Sequence, residues 1–213
     1  MQLQFDDGAH VCHLFQSHEE QMDLASRFLS DGLAGGEYCA FVTADEALDA
    51  WCIELQAHGI DVTGERASGF LEIFSGPEYR GAGEFNSIVK ARELLRLIKS
   101  KRDDFRGLRI VGDAGWALEP QMPVESLCHW EATADLVWQD TNCRAICQYD
   151  ITRHPPSAIH SALRTHALVI CEGRTMQSPF YEARAILANE PHLNSSNANA
   201  AEVRAMLMRL RNS

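Results

Sequence analysis

The run Tyr38-Cys39-Ala40-Phe41-Val42 is apolar at every position, and it restricts the fold more than any other segment of the chain. Successive side chains of a strand point to opposite faces, so a strand without polar residues must be covered on both sides. That is the position of a central strand in a parallel sheet flanked by helices. The flanking segments agree. Residues 9–15 have strand length, and Ser17 followed by Glu20 forms a capping box for a helix. The spacing predicts that this helix runs to about Leu33, buries Met22, Ala25, Phe28 and Leu29, and stops at Gly35-Gly36.

Thr43 with Glu46 forms a second capping box, for a helix to about His58 that Gly59 closes. A short strand is expected at 60–62, another at 70–74, and a glycine-rich loop at 76–83. Residues 85–102 read as a long amphipathic helix with Phe85, Ile88, Val89, Leu95 and Ile98 on its apolar face. Strands follow at 108–112, 144–149 and 168–171, helices at 123–138 and 156–164, and Glu172-Gly173 turns the chain into 174–176. Strands alternating with helices predict an α/β protein, a three-layer α/β/α sandwich with a mostly parallel sheet. The expected organisation is one domain over 1–182, an Asn/Ser-rich linker over 183–198 and a helix over 199–213. That last helix carries Val203, Met206, Leu207 and Leu210 on one stripe.

At 213 residues with 46% hydrophobic content, the chain can bury a substantial core. Its formal net charge of −11 argues against a broad nucleic-acid surface. No apolar run reaches the ~20 residues that cross a bilayer, and the N-terminus lacks the pattern of a signal peptide. The seven cysteines are odd in number and scattered through apolar segments, as expected of free thiols in a reducing compartment. A cytoplasmic location is therefore expected. The helix bearing Lys90, Arg92, Arg96, Lys99, Lys101 and Arg102 is the basic exception, read as a solvated face or a dock for an acidic partner.

Enzymatic chemistry leaves no signature. The turn after the first strand, Phe15-Gln16-Ser17-His18-Glu19-Glu20, has neither the glycines nor the lysine of a phosphate loop, and its carboxylates repel a triphosphate. There is no G-x-S-x-G elbow, C-x-x-C pair or H-E-x-x-H helix. His10-Val11-Cys12-His13 is the most suggestive cluster, because His10 and Cys12 share a strand face. Two readings stand: soft-metal ligands completed by Cys147 or a further histidine, or a hydrogen-bonded buried strand lining an organic pocket. No metal ligand set is assigned and no cofactor is implied. Cys147-Gln148-Tyr149-Asp150 ends a strand at the edge where open α/β sheets bind ligands, and Asp113 and Trp116 follow another.

Taken in order, these segments resemble the MEDS domain, a sensory module. The matching residues are Gly8 to Phe15, Gly36-Glu37-Tyr38-Cys39, Tyr79, Gly83-Glu84-Phe85, Arg109 to Asp113 and Trp116-Ala117-Leu118. Cys147-Gln148-Tyr149-Asp150, Arg164-Thr165-His166 and Pro179-Phe180-Tyr181 complete the set, which spans about residues 8–182. The resemblance implies a RecA/KaiC-like core whose phosphate loop is lost, and a non-enzymatic sensor of simple hydrocarbon derivatives. It marks His10, Cys12, Asp113, Trp116, Gln148, Tyr149 and His166 as ligand-binding residues. Asp113 departs from the glutamate expected there. The implied partners are a small organic ligand and a signalling or transcription regulator, with a homodimer as a further candidate and no direct contact with nucleic acid or membrane. The alternatives are a ligand-free interaction module and a metal or redox sensor acting through His10 and Cys12.

Overall fold

The apolar runs become strands of one sheet, and the amphipathic stripes become the helices that cover it. A computed structural model describes residues 5–44, 48–81, 83–101, 103–118, 122–139 and 141–188. The strands are β1 (His10–Phe15), β2 (Tyr38–Val42), β3 (Leu71–Phe74), β4 (Leu108–Asp113), β5 (Cys143–Asp150), β6 (Leu168–Cys171) and β7 (Arg174–Gln177). The helices are α1 (His18–Ala34), α2 (Leu48–Ala57), α3 (Val62–Ala67), α4 (Gly76–Arg80), α5 (Ser87–Lys101), α6 (Val124–Gln139), α7 (Pro156–Thr165) and α8 (Ala183–Ala188). The sheet order is β3-β2-β4-β5-β1-β6-β7, parallel except for the edge strand β7. Glu172 and Gly173 both take positive φ (52° and 70°), the backbone of the tight turn that joins β6 to β7.

All of β1 and β2 is buried, as two-faced coverage requires. Cys12, Leu14 and Tyr149 meet α5, α6 and α7 in one core layer, with Leu94, Trp130 and Ala158. Val11, Val111 and Ile146 meet α1, α2 and α3 in the other, with Phe28, Leu55 and Val62. The protein is thus a three-layer α/β/α sandwich, and the parallel register brings the carboxyl ends of β4, β5 and β1 to one edge.

Local chemistry overrides the sequence reading at four places. Residues 60–62 are not a strand: the Asp61 side chain accepts from the Gly64 N–H and caps α3 instead. Within 76–83, Ser75 caps the short helix α4, with proline in its first turn. Helix α5 buries Ser87, Ala91, Leu94 and Ile98, while Ile88, Val89 and Leu95 stand half-exposed. Small Ser87 and Ala91 let the backbone approach its neighbours, so the buried stripe follows spacing and closeness rather than side-chain size. The folded body also continues past residue 182, because α8 packs Ala183 and Ile186 against Cys128 and Ala132 of α6. Glu46 of the second capping box, and the linker and last helix from residue 189 onward, lie outside the described residues.

Two basic residues of α5 serve the domain itself. Lys101 lies 4.4 Å over the Tyr38 ring and pairs with Glu72, and Lys90 lies 4.7 Å over the Tyr79 ring. Because α5 inserts Leu94 rather than Leu95, Leu94→Ala should lower the stability measured by urea denaturation by about 2–4 kcal/mol, and Leu95→Ala by less than about 1 kcal/mol. Equal losses would mean that the helix face is misplaced.

Candidate functional site

Helix α6 carries the feature on which the site is built. Leu127, Trp130, Ala134 and Trp138 form its apolar stripe, and Glu131 and Asp135 lie within the same buried surface, one turn apart. Glu131 is only 2% exposed. A carboxylate there costs several kcal/mol unless it is paired and hydrogen-bonded, and the surrounding strands supply partners. Tyr149 of β5 donates its hydroxyl to Glu131 Oε1 at 2.7 Å. His10 Nε2 of β1 lies 3.3 Å from Glu131 Oε2, and the Cys147 thiol donates to the same oxygen at 3.5 Å. His166, after α7, places Nε2 3.6 Å from that oxygen.

The two histidine rings have their centroids 4.0 Å apart and are in different states. Burial works against a charge on His10, but Asp135 and Glu131 outweigh it and hold its pKa above the usual histidine range. Burial and the field of His10 push His166 down to about 4, so it is neutral. His166 Nδ1–H donates to the Ala162 carbonyl at 2.8 Å, which leaves Nε2 without a hydrogen and without a partner. Burial opposes the charge of Glu131 as well, yet His10, His166 and Tyr149 together hold it below the ordinary carboxylate range. Burial followed by the Glu131 charge drives the Cys147 thiol well up.

Open space lies beside this cluster. Gly112 pairs with Cys147 across β4 and β5, and a Cβ placed on Gly112 meets nothing within 4 Å. Cys147 retains accessible surface although atoms crowd around it. Tyr79, Phe85, Trp116 and Trp130 pack ring against ring on the same side of the sheet, with centroids 5.3 to 6.3 Å apart. A second opening of about 180 Å³ lies at the carboxyl edge, lined by Leu118, Met122, Val124, Leu127 and Ala158, with His154 as its polar member. His154 Nδ1 is held by the Asp150 carbonyl at 3.0 Å. Its Nε2 is buried without a hydrogen bond of normal geometry, although the Ala114 carbonyl is close enough to bias its proton. The His154 ring packs on Tyr149 at 5.2 Å.

The residues marked in the sequence divide between the faces of the sheet. His10, Tyr149 and His166 come together, and Trp116 belongs to the aromatic group on their side. Cys12 is buried on that face too, but the cysteine that meets His10 is Cys147, at 3.3 Å. Asp113 and Gln148 take part in a different network, toward α1. Gln21 Nε2 and the Gly115 N–H donate to Asp113, each at 2.8 Å, while Gln148 donates to His13 Nδ1 and the Gln21 carbonyl. Glu131, Asp135 and His154 were not marked. A pair of acids on the apolar stripe of α6 is the signal that finds the first two.

The structure is thus an α/β domain with a buried polar cluster among its strands and an apolar cavity at the carboxyl edge of its parallel sheet. The family model for the MEthanogen/methylotroph, DcmR Sensory domain matches residues 9–167, and the chain belongs to this MEDS family. A search of curated proteins finds no match. Every cluster residue lies within the matched span.

On the opposite face, burial and then the positive field of Arg27 lower the pKa of His13 to about 4. In the unfolded chain the same group titrates near 6.5, so between these values the unfolded state binds more protons. Stability should therefore fall as pH drops from about 6.5 toward 4, by up to about 3 kcal/mol from this group. His13→Gln should flatten that part of the pH profile in urea unfolding. An unchanged slope would show that His13 does not contribute.

Proposed function

We propose that the protein is a non-enzymatic, cytoplasmic sensory domain that takes up a small hydrocarbon-derived molecule and signals its presence to a partner protein. The observation that carries this reading is the cavity of about 180 Å³ at the carboxyl edge. A cavity of ~150 Å³ lined by aliphatic and aromatic side chains holds a molecule the size of benzene. The space therefore suits a short carbon skeleton, with His154 as the polar side chain in its lining. Membership of a sensory-domain family agrees. So does the state of the thiols: burial raises the pKa values of Cys12, Cys39, Cys128, Cys143 and Cys147, opposite to what a catalytic thiolate needs. None of the seven cysteines is in a disulfide, as suits a reducing compartment.

The partner surface is read on α5, where exposed Ile88, Val89 and Leu95 alternate with exposed Arg92, Arg96 and Lys99. Such a face suits an acidic protein with apolar anchors. Ligand binding signals only if the bound and free forms differ in affinity for that partner. Helix α6, which lines the cavity with Leu127, packs directly against α5.

Thermal denaturation with short-chain alcohols, amines and halocarbons tests the cavity. At least one should give a rise that grows with the logarithm of ligand concentration above Kd, equivalent to about 2.7 kcal/mol at a hundredfold excess over Kd. Leu127→Trp fills the cavity and should abolish the rise. No rise with any of them, or a rise that persists in Leu127→Trp, would contradict a ligand at this place.

A further inference from the structure

The buried cluster has an arrangement that hydrogen bonding alone does not complete. His10, Glu131, Cys147 and His166 each offer one ligand atom, and these four atoms all lie within 4.8 Å of one another. The remaining polar atoms of Glu131 and His166 are hydrogen-bonded outside the group. Glu131 Oε1 accepts from Tyr149, and His166 Nδ1 donates to the Ala162 carbonyl. His10 Nδ1 faces Asp135 Oδ1 at 3.5 Å, an ion-pair distance rather than a closed hydrogen bond. A carboxylate or carbonyl behind each ligating imidazole is the outer-shell arrangement that fixes the tautomer and aims the free nitrogen at a metal.

The purely hydrogen-bonded alternative leaves a defect. With its proton on Nδ1, His166 turns a bare acceptor nitrogen toward Glu131 Oε2, another acceptor, at 3.6 Å. Both atoms are buried, and no hydrogen lies between them. A cation between the two acceptors repairs the contact directly.

We propose that His10, Glu131, Cys147 and His166 form a binding site for one divalent transition-metal ion of the zinc class. Two imidazoles, a thiolate and a carboxylate suit the borderline-soft character of such an ion and disfavour calcium or magnesium. Metal–nitrogen bonds of about 2.0 Å and metal–sulfur bonds of about 2.3 Å place tetrahedral ligands about 3.3–3.6 Å apart. Four of the six ligand–ligand contacts, at 3.3, 3.3, 3.5 and 3.6 Å, already have that spacing, and the other two lie within 4.8 Å. Binding displaces the thiol proton of Cys147 and the Nε2 proton of His10 to solvent, while His10 keeps Nδ1–H toward Asp135. Four protein ligands close the site, which fits a structural or metal-sensing role and leaves no open position for a reacting water. Cys147 keeps some accessible surface, and Gly112 beside it in register leaves open space on β4. This site is separate from the apolar cavity, so either assignment can fail without the other.

The test is a cobalt(II) titration of the full-length, reduced, chelator-stripped protein, followed by absorbance. One equivalent should produce the intense visible bands of a tetrahedral centre and a thiolate-to-cobalt charge-transfer band, and one equivalent of zinc should bleach both. Cys147→Ser should remove the charge-transfer band with its circular dichroism unchanged, while Cys12→Ser retains it. Asp135→Asn should weaken binding by about 10- to 100-fold. Leu127→Trp, which fills the apolar cavity, should leave the spectrum as it is. Failure of the wild-type chain to bind cobalt or zinc stoichiometrically would overturn the proposal. So would a charge-transfer band that survives Cys147→Ser or disappears in Cys12→Ser.

Discussion

A carboxylate buried in an apolar layer must be matched by its surroundings, and Glu131 sets this requirement for the whole α6 side of the sheet. The helix cannot seat its stripe of Leu127, Trp130, Ala134 and Trp138 without also driving Glu131 and Asp135 inward. Each neighbouring element therefore contributes a polar group: His10 from β1, Cys147 and Tyr149 from β5, and His166 at the end of α7. Replacing such a network by apolar residues often stabilises a fold, so stability alone does not account for it. Its features are those of a site, with neighbouring histidines in different charge states and a bare ring nitrogen pointing inward.

The polar cluster and the apolar cavity share a wall. His154 lines the cavity and packs on Tyr149, and Tyr149 is bonded to Glu131. The network toward α1 is of another kind. Asp113 caps the 3₁₀ turn at residues 114–117 through the Gly115 N–H, and Gln21 and Gln148 tie α1 to the sheet around it. Those residues hold the edge of the sheet in register, which positions the cavity above it.

The succession of strands and helices and their layering follow from patterns that are local in sequence. The two-faced run of β2 and the Ser17 cap of α1 leave little freedom, and both stand where the periodicity puts them. The site was half-legible for a physical reason. His10, Cys147, Tyr149 and His166 are conspicuous because polar residues on or beside buried strands are rare. Glu131 and Asp135 look ordinary on a helix, where acids usually face water, and only their phase relative to the apolar stripe gives them away. Asp113 and Gln148 are equally conspicuous, but strand alternation turns them to the opposite face of the sheet from Tyr149. Likewise the choice between Cys12 and Cys147 depends on strand neighbours, which spacing along the chain does not encode.

The central claim is that the fold fixes His166 with its proton on Nδ1 and a bare Nε2 aimed at Glu131. Nitrogen-detected NMR of the histidine tautomers, on metal-free protein at neutral pH, measures this directly. The account predicts a neutral His166 ring in the Nδ1–H form, hydrogen-bonded to the Ala162 carbonyl. An Nε2–H form would contradict it, because that hydrogen would satisfy Glu131 and leave the cluster as a closed network with no place for a cation.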